Sequence, residues 1–290
     1  MLSYDQQRNL VDRGLAVMKN DGKYTTFKYH RKAMYDYLWF VVTDLMECRG
    51  HVYDSDTKEI VQAAPRKSFN YRENDIWWAA TPLDTKVEVY KKINGYMACA
   101  TIHKGELVVS TTGSTTSEYA QWAKELIVKD YHLYDLAIDS DATTLFEVVV
   151  PQDPHIVEER MGLHLLGWRE KASGHFSPNG KYLYMTLAEA IAMADEDRGE
   201  GFMVYRADDM IKLAPCKLKT PYYIGKKKLM RMSAKNVEVM YKNPNDITKL
   251  LPSMWHDAPF EIMCMFTKEQ WLSFTDQMRR VFLEDLKGIK

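Results

Sequence analysis

The chain has 290 residues, 46% hydrophobic and 12% aromatic, with 39 basic against 40 acidic side chains. That content supplies a large core and a smaller one and excludes a disordered polymer, while a net charge of −1 excludes a molecule basic all over. The longest apolar run, residues 37–42, falls far short of the roughly 20 residues of a membrane-spanning helix, and the first residues lack a signal peptide's basic-then-apolar order, so a cytoplasmic location is expected. Cys48, Cys99, Cys216 and Cys264 have no metal-ligand spacing and are expected as free thiols.

Ser3-x-x-Gln6 is a capping box ahead of Leu10, Val11 and Leu15, and predicts a helix ending near Asn20 and Gly22. β-branched and aromatic residues concentrate over residues 87–111, interrupted by Asn94-Gly95 and Lys104-Gly105, which predicts antiparallel strands joined by tight turns. Thr115-x-x-Glu118 predicts the start of a helix through Trp122 and Leu126. Residues 145–150, closed by Pro151, and residues 163–168 read as strands. Thr186-x-x-Glu189 caps a helix rich in alanine and methionine, and Gly199-Glu200-Gly201 leads into the strand-like Phe202-Met203-Val204-Tyr205.

A run from Lys217 to Arg231 contains Lys219, Lys226, Lys227 and Lys228 and no acid, which is either a basic patch or a solvated face. The lysine-rich stretch near Gly225 is the best boundary, dividing residues 1–225 from residues 226–290. Beyond it, Thr267-x-x-Gln270 and the spacing of Trp271, Phe274, Met278, Val281, Phe282 and Leu286 predict one amphipathic helix. The expected class is α+β: an antiparallel-sheet domain followed by a small helical one.

Lys92-Ile93-Asn94-Gly95 puts a lysine beside a glycine that lets backbone approach a ligand, although alone it also fits a hairpin turn with a solvated lysine. Its companions follow in order: Ser110-Thr111-Thr112-Gly113-Ser114, Leu145-Phe146-Glu147, Glu200-Gly201, and Lys217-Leu218-Lys219. In this order and spacing the chain resembles the covalent nucleotidyltransferases, which include DNA ligases, RNA ligases and messenger-RNA capping enzymes. Leu45-Met46-Glu47-Cys48-Arg49-Gly50, Pro65-Arg66-Lys67-Ser68-Phe69-Asn70, Leu165-Leu166-Gly167-Trp168-Arg169-Glu170 and Lys219-Thr220-Pro221-Tyr222-Tyr223 are similar to blocks of the phage RNA ligase 1 family. The resemblance spans about residues 40–225. Tyr96 and Thr112 stand where that family usually has serine and lysine, and Asn94 where it usually has an acid.

The resemblance implies an antiparallel nucleotidyltransferase fold. It implies an ATP-dependent RNA ligase that joins a 5′-phosphate to a 3′-hydroxyl through a lysyl-AMP on Lys92, with Mg²⁺ or Mn²⁺. A monomer acting on RNA ends is expected, away from any membrane. The family precedent is repair of broken tRNA in phage-infected cells, so a phage-encoded chain would work in the host cytoplasm. Capping guanylyltransferases and DNA ligases follow the last motif with a small β-barrel, where this tail reads as helix. A non-catalytic RNA-end-binding protein is the remaining alternative.

The chemistry requires these residue types. A free lysine with a pKa near ~10.4 is neutral in only about one molecule in ~2,500 at pH 7, so something must favour the amine. Lys217 and Lys219 nearby would do so by like-charge repulsion and would hold the α-phosphate as negative charge develops. A bare Glu200 carboxylate would act the other way, which assigns Glu200 to a divalent ion. The family gives Glu147 to the ribose hydroxyls. Arg49 and Lys67 suit the outgoing pyrophosphate or RNA phosphates. Phe69, which could stack or merely pack, and Gly95 complete the expected nucleotide-binding set.

Overall fold

The computed structural model describes residues 1–72, 76–130, 138–209 and 215–286. Helix α1 (Tyr4–Asp12) starts as its capping box requires, with Ser3 Oγ accepting from the Gln6 amide and the Gln6 side chain accepting from the Ser3 amide. It does not reach Asn20. Gly14 turns the chain at φ 68°, and β1 (Ala16–Asn20) pairs with β2 (Tyr24–Tyr29). A ladder along the whole of β1 outweighs a helical pattern carried by Leu10, Val11 and Leu15 alone. After α2 (Lys32–Tyr35), β3 (Arg49–Asp54) and β4 (Ile60–Gln62) complete a first sheet in the order β1-β2-β3-β4.

The chain then passes through β5 (Phe69–Asn70) and α3 (Ile76–Ala79) to β6 (Lys86–Lys91), β7 (Tyr96–His103) and β8 (Glu106–Ser110). Strands β7 and β8 form the expected hairpin, with Lys104 and Gly105 at φ 50° and 78° in its turn. Asn94-Gly95 is no hairpin turn. It carries the chain from β6 in one sheet to β7 in another. Helix α4 (Glu118–Lys129) is capped by Ser117 rather than Thr115, whose amide and hydroxyl both donate to Asp21 Oδ2, at 3.1 and 2.8 Å.

Strand β9 (Ala142–Val149), buried throughout, lies between β7 and β10 (Gly162–Glu170), and β11 (Phe176–Pro178) closes a sheet of order β11-β10-β9-β7-β8. Strand β12 (Leu183–Thr186) runs into α5 (Leu187–Glu196), whose Thr186/Glu189 capping box forms as expected. With β13 (Gly201–Arg206) and β14 (Cys216–Lys219) they give a third sheet, β12-β6-β13-β14-β5, antiparallel except for the β14–β5 pair. Its Val87, Val89, Phe202 and Val204 pack under α5, while Tyr90, Met203 and Tyr205, alternate residues on the same strands, meet Met97 and Leu145 of the neighbouring sheet.

After residue 219 the described chain holds helices and turns and no strand: α6 (Pro221–Met230), α7 (Ala234–Lys242), α8 (Pro244–Thr248), α9 (Ala258–Met265), α10 (Lys268–Ser273) and α11 (Asp276–Asp285). The single terminal helix expected from the periodicity is two. Phe274 is extended and rings with Phe266 and Trp271, and Thr275 caps the new helix by accepting from the Met278 amide. Helix α6 runs straight through the expected boundary at residues 225 and 226, and the tail's core of Leu229, Met240, Trp255 and Trp271 also takes in Ile156 and Val157. The basic run is divided by this helix: Lys226 is buried, 2.6 Å from Glu284, while Lys228 is exposed and donates to the Leu250 carbonyl. No described helix is long and apolar enough to cross a membrane. All four cysteines are free.

Glu47 braces the segment that leads into β5. It accepts from the buried Arg169 at 3.0 and 3.2 Å and lies 2.9 Å from Arg66. Glu47→Ala should therefore cost roughly 3–5 kcal/mol, the scale for breaking a buried pair from one side. Urea unfolding checks this, and a cost below about 1 kcal/mol would mean that the Ala64 and Gly174 carbonyls satisfy Arg169 by themselves.

Candidate active site

Lys92 directly follows β6, and its amide donates to the Gly201 carbonyl at 2.8 Å, extending the β6–β13 ladder by one bond. That bond sets Lys92 Nζ 3.0 Å from Glu200 Oε2, the residue just before β13. Two glycines make the crossing possible. A Cβ on Gly95 would stand 2.4 Å from the Val148 carbonyl oxygen, and one on Gly201, at φ 126°, would stand 1.9 Å from that of Leu218. Neither position admits a side chain.

The short link after the lysine is fastened at every residue that bears on the site. The Asn94 amide reaches Glu159 at 3.3 Å and the Gly95 amide reaches Glu147 Oε1 at 3.1 Å. Asn94 Oδ1 accepts from the amides of Ile156 and Val157 at 2.9 and 3.1 Å, while its Nδ2 donates to Glu200 Oε2 at 3.0 Å. An aspartate could accept those two bonds but could not donate the third, which accounts for an amide at this position.

Strand β14 turns Cys216 and Leu218 into the core under α5 and leaves Lys217 and Lys219 on the other face. Lys219 Nζ lies 3.5 Å from Glu200 Oε1. Lys217 and Lys67 converge on one oxygen, the Ser68 carbonyl, at 3.2 and 2.9 Å. Burial, and then the cations of Arg49, Lys67, Lys92 and Lys219, hold Lys217 well below the ordinary lysine pKa. Burial likewise lowers Lys219, against the pull of Glu200, and raises Glu147, which Lys92 opposes and Glu200 reinforces.

These groups border a cavity of about 330 Å³ between the second and third sheets, within the range of small-molecule sites. Arg49, Lys92, Gly95, Glu147 and Lys217 line it. Lys219 and Glu200 line an adjoining cavity that shares Lys92 and Gly95. Lys67 and Phe69 stand beside the first cavity but outside its lining: the Phe69 ring packs edge-on against Trp39 at 5.6 Å, with Lys67 Nζ 4.5 Å from its centre. Tyr96 points elsewhere, donating to the Tyr119 carbonyl at 2.9 Å.

Sequence motifs missed the apolar walls, namely Tyr90, Met97, Phe176, Met203 and Tyr205. The signal was present in the period-two alternation of β6 and β13, where Tyr90 and Met203 are register partners. Among the described residues no three His, Cys, Asp or Glu side chains form a metal cage. Glu200, with the Glu147 carboxylate close enough to be raised by it, fits instead an ion that keeps part of its water and shares phosphate oxygens.

No family model matches the chain. Its structure is similar to that of an archaeal ATP-dependent RNA ligase. One form has a TM-score of 0.54 at 13% identity over 100% of this chain and 80% of that one. A second form gives 0.51 at 14% identity, covering 98% and 76%. A protein from Aquifex aeolicus described as an ATP-dependent DNA ligase gives 0.50 at 14% identity, covering 99% and 78%. The chain thus has the α+β, antiparallel-sheet fold of the ATP-dependent ligases, and the likeness runs through its helical tail as well as its sheets.

Proposed function

We propose that this chain is an ATP-dependent RNA ligase of the phage RNA ligase 1 kind, whose three sheets carry the adenylylation chemistry and whose helices from α6 onward form a partner domain. The observation that carries the reading is Lys92 Nζ held beside Glu200 at the edge of a cavity that combines apolar walls with Arg49, Glu147 and Lys217. The walls suit a purine, Glu147 a ribose, and the cations a triphosphate.

In the first step Lys92 Nζ bonds to the α-phosphorus of ATP and pyrophosphate leaves. An RNA 5′-phosphate oxygen then takes the AMP from Lys92, and the RNA 3′-hydroxyl finally attacks that 5′-phosphate and expels AMP. Lys217 and Lys219 hold the α-phosphate oxygens, and Arg49 and Lys67 the departing pyrophosphate or the incoming RNA phosphate. Phe69 acts by packing, keeping Lys67 in place. A divalent ion such as Mg²⁺ or Mn²⁺, held by Glu200, would supply charge neutralisation for the phosphates. Strand-free residues 220–286 favour this reading over a capping enzyme, whose tail is a β-barrel.

The test is incubation with α-labelled ATP or GTP and Mg²⁺, followed by 5′-phosphorylated RNA or DNA. Label should pass from ATP, not GTP, to the protein and then to RNA. Absence of protein labelling would overturn the reading, and transfer to DNA alone would change the substrate.

A further inference from the structure

The adjoining cavity, about 270 Å³ and almost wholly polar in its lining, begins at Lys92 and ends at the tail. Lys92, Lys219, Lys227 and Arg231 face it, against the carboxylates of Glu200 and Asp153. The adenylylation chemistry uses the first two cations and Glu200. It gives no work to Lys227, Arg231 or His155.

Lys227 and Arg231 are four residues apart, the spacing that puts both on one face of α6 and its C-cap. The Tyr223 ring, which also lines the cavity, lies 4.8 Å from Lys219 Nζ and 5.7 Å from Lys227 Nζ, within reach of a cation–π attraction to both. Arg231 donates to the Pro154 carbonyl at 3.2 Å, which ties the end of α6 to the loop carrying His155. His155 is 5% exposed, lines the cavity, and its buried Nε2 has no hydrogen-bond partner among the described residues. Its Nδ1 lies 3.9 Å from Asp153 Oδ2, which leaves Nε2 as the atom for a ligand to satisfy.

Resting on the ligase reading, we infer that this second cavity binds a phosphate group of the RNA end being joined, with Lys227 and Arg231 supplying the charge and His155 Nε2 a hydrogen bond. A phosphate here lies next to Lys92 without occupying the nucleotide cavity, so an RNA end and the adenylate can be held together. The cavity is walled jointly by the Lys92–Gly95 link and by α6, which gives the helical tail a part in RNA binding that does not depend on a broad basic patch.

The experiment measures binding of 5′-phosphorylated and 5′-hydroxyl oligoribonucleotides to the full chain at several salt concentrations, with ATP labelling measured in parallel. The variant Lys227→Ala/Arg231→Ala should label at the wild-type rate yet bind 5′-phosphorylated RNA about tenfold more weakly at low salt. Its log–log salt slope should flatten by roughly 1.4, two single-strand phosphate contacts. Lys228→Ala, which removes one positive charge from the exposed side of the same helix, should bind as wild type. His155→Leu, which keeps apolar bulk and removes the orphaned nitrogen, should weaken RNA binding without lowering Tm.

If only 5′-phosphorylated RNA loses affinity, the cavity holds the terminal phosphate; if both RNAs lose it equally, it holds an internal phosphodiester. Unchanged affinity and slope in the double variant, or an equal loss in Lys228→Ala, overturns the inference. Absence of wild-type labelling would overturn the ligase reading separately, while the binding measurements would still judge the cavity.

Discussion

Lys92→Ala should eliminate transfer of label from ATP to the protein and yet still seal RNA supplied with its 5′ end already adenylylated. The amine is needed to take AMP from ATP and to pass it on; the final attack by the 3′-hydroxyl needs only the phosphate-holding groups around it. Lys92→Arg should fail just as completely at labelling, because a guanidinium stays protonated and is no nucleophile. Labelling that survives in either variant would sink the assignment of Lys92. Loss of sealing from pre-adenylylated RNA would show that Lys92 also positions the phosphate, for which its 3.0 Å contact with Glu200 gives the structural route.

Glu200→Ala and Lys217→Ala should each slow self-adenylylation by at least ~10²-fold, the scale for removing one preorganised charge from a phosphoryl-type transition state. Folding is checked first, since Glu200 also accepts from the Asn94 side chain and pairs with Lys92 through Oε2 and with Lys219 through Oε1. Lys217 offers a sharper version, because its folded pKa is depressed below the ordinary value by burial and four neighbouring cations. Between the depressed value and the unfolded value near ~10.4, the unfolded chain holds the extra proton, so stability should rise with pH across that window. Below it the full cost of the buried charge is present. Lys217→Met should therefore raise stability to urea at pH 7, shrink the rise toward alkaline pH, and abolish rapid labelling. A less stable Lys217→Met protein, or a rise in stability with pH as large as in wild type, would mean that the Ser68 carbonyl compensates the ammonium fully.

How much was legible in the sequence depended on the range over which the deciding forces act. Capping boxes at Ser3, Thr186 and Thr267 formed as read, because a hydroxyl and an amide three residues apart settle the matter locally. The Lys104-Gly105 hairpin and the strand bearing Glu147 were equally plain, being set by turn chemistry and by a short apolar run closed by Pro151. The lysine, glycines and carboxylates of the candidate site could be named for the same reason: each sits in a short block with its own signature.

Tertiary structure alone decided where competing local signals resolved. Residues 16–20 left a helical pattern for a ladder with β2, Thr115 lost its cap to Asp21 from a distant turn, and Phe274 broke one amphipathic helix into two to fill an aromatic cluster. Asn94-Gly95, an apparent hairpin, became the crossing between two sheets, because Lys92 pairs onward with Gly201 instead of folding back on β7. The basic run was divided by the geometry of α6, which buries Lys226, exposes Lys228 and turns Lys227 and Arg231 toward Lys92. Sequence spacing fixes what one element can present, whereas hydrogen bonds and burial between elements remote in sequence select the partner, and those energies are settled only when the whole chain packs.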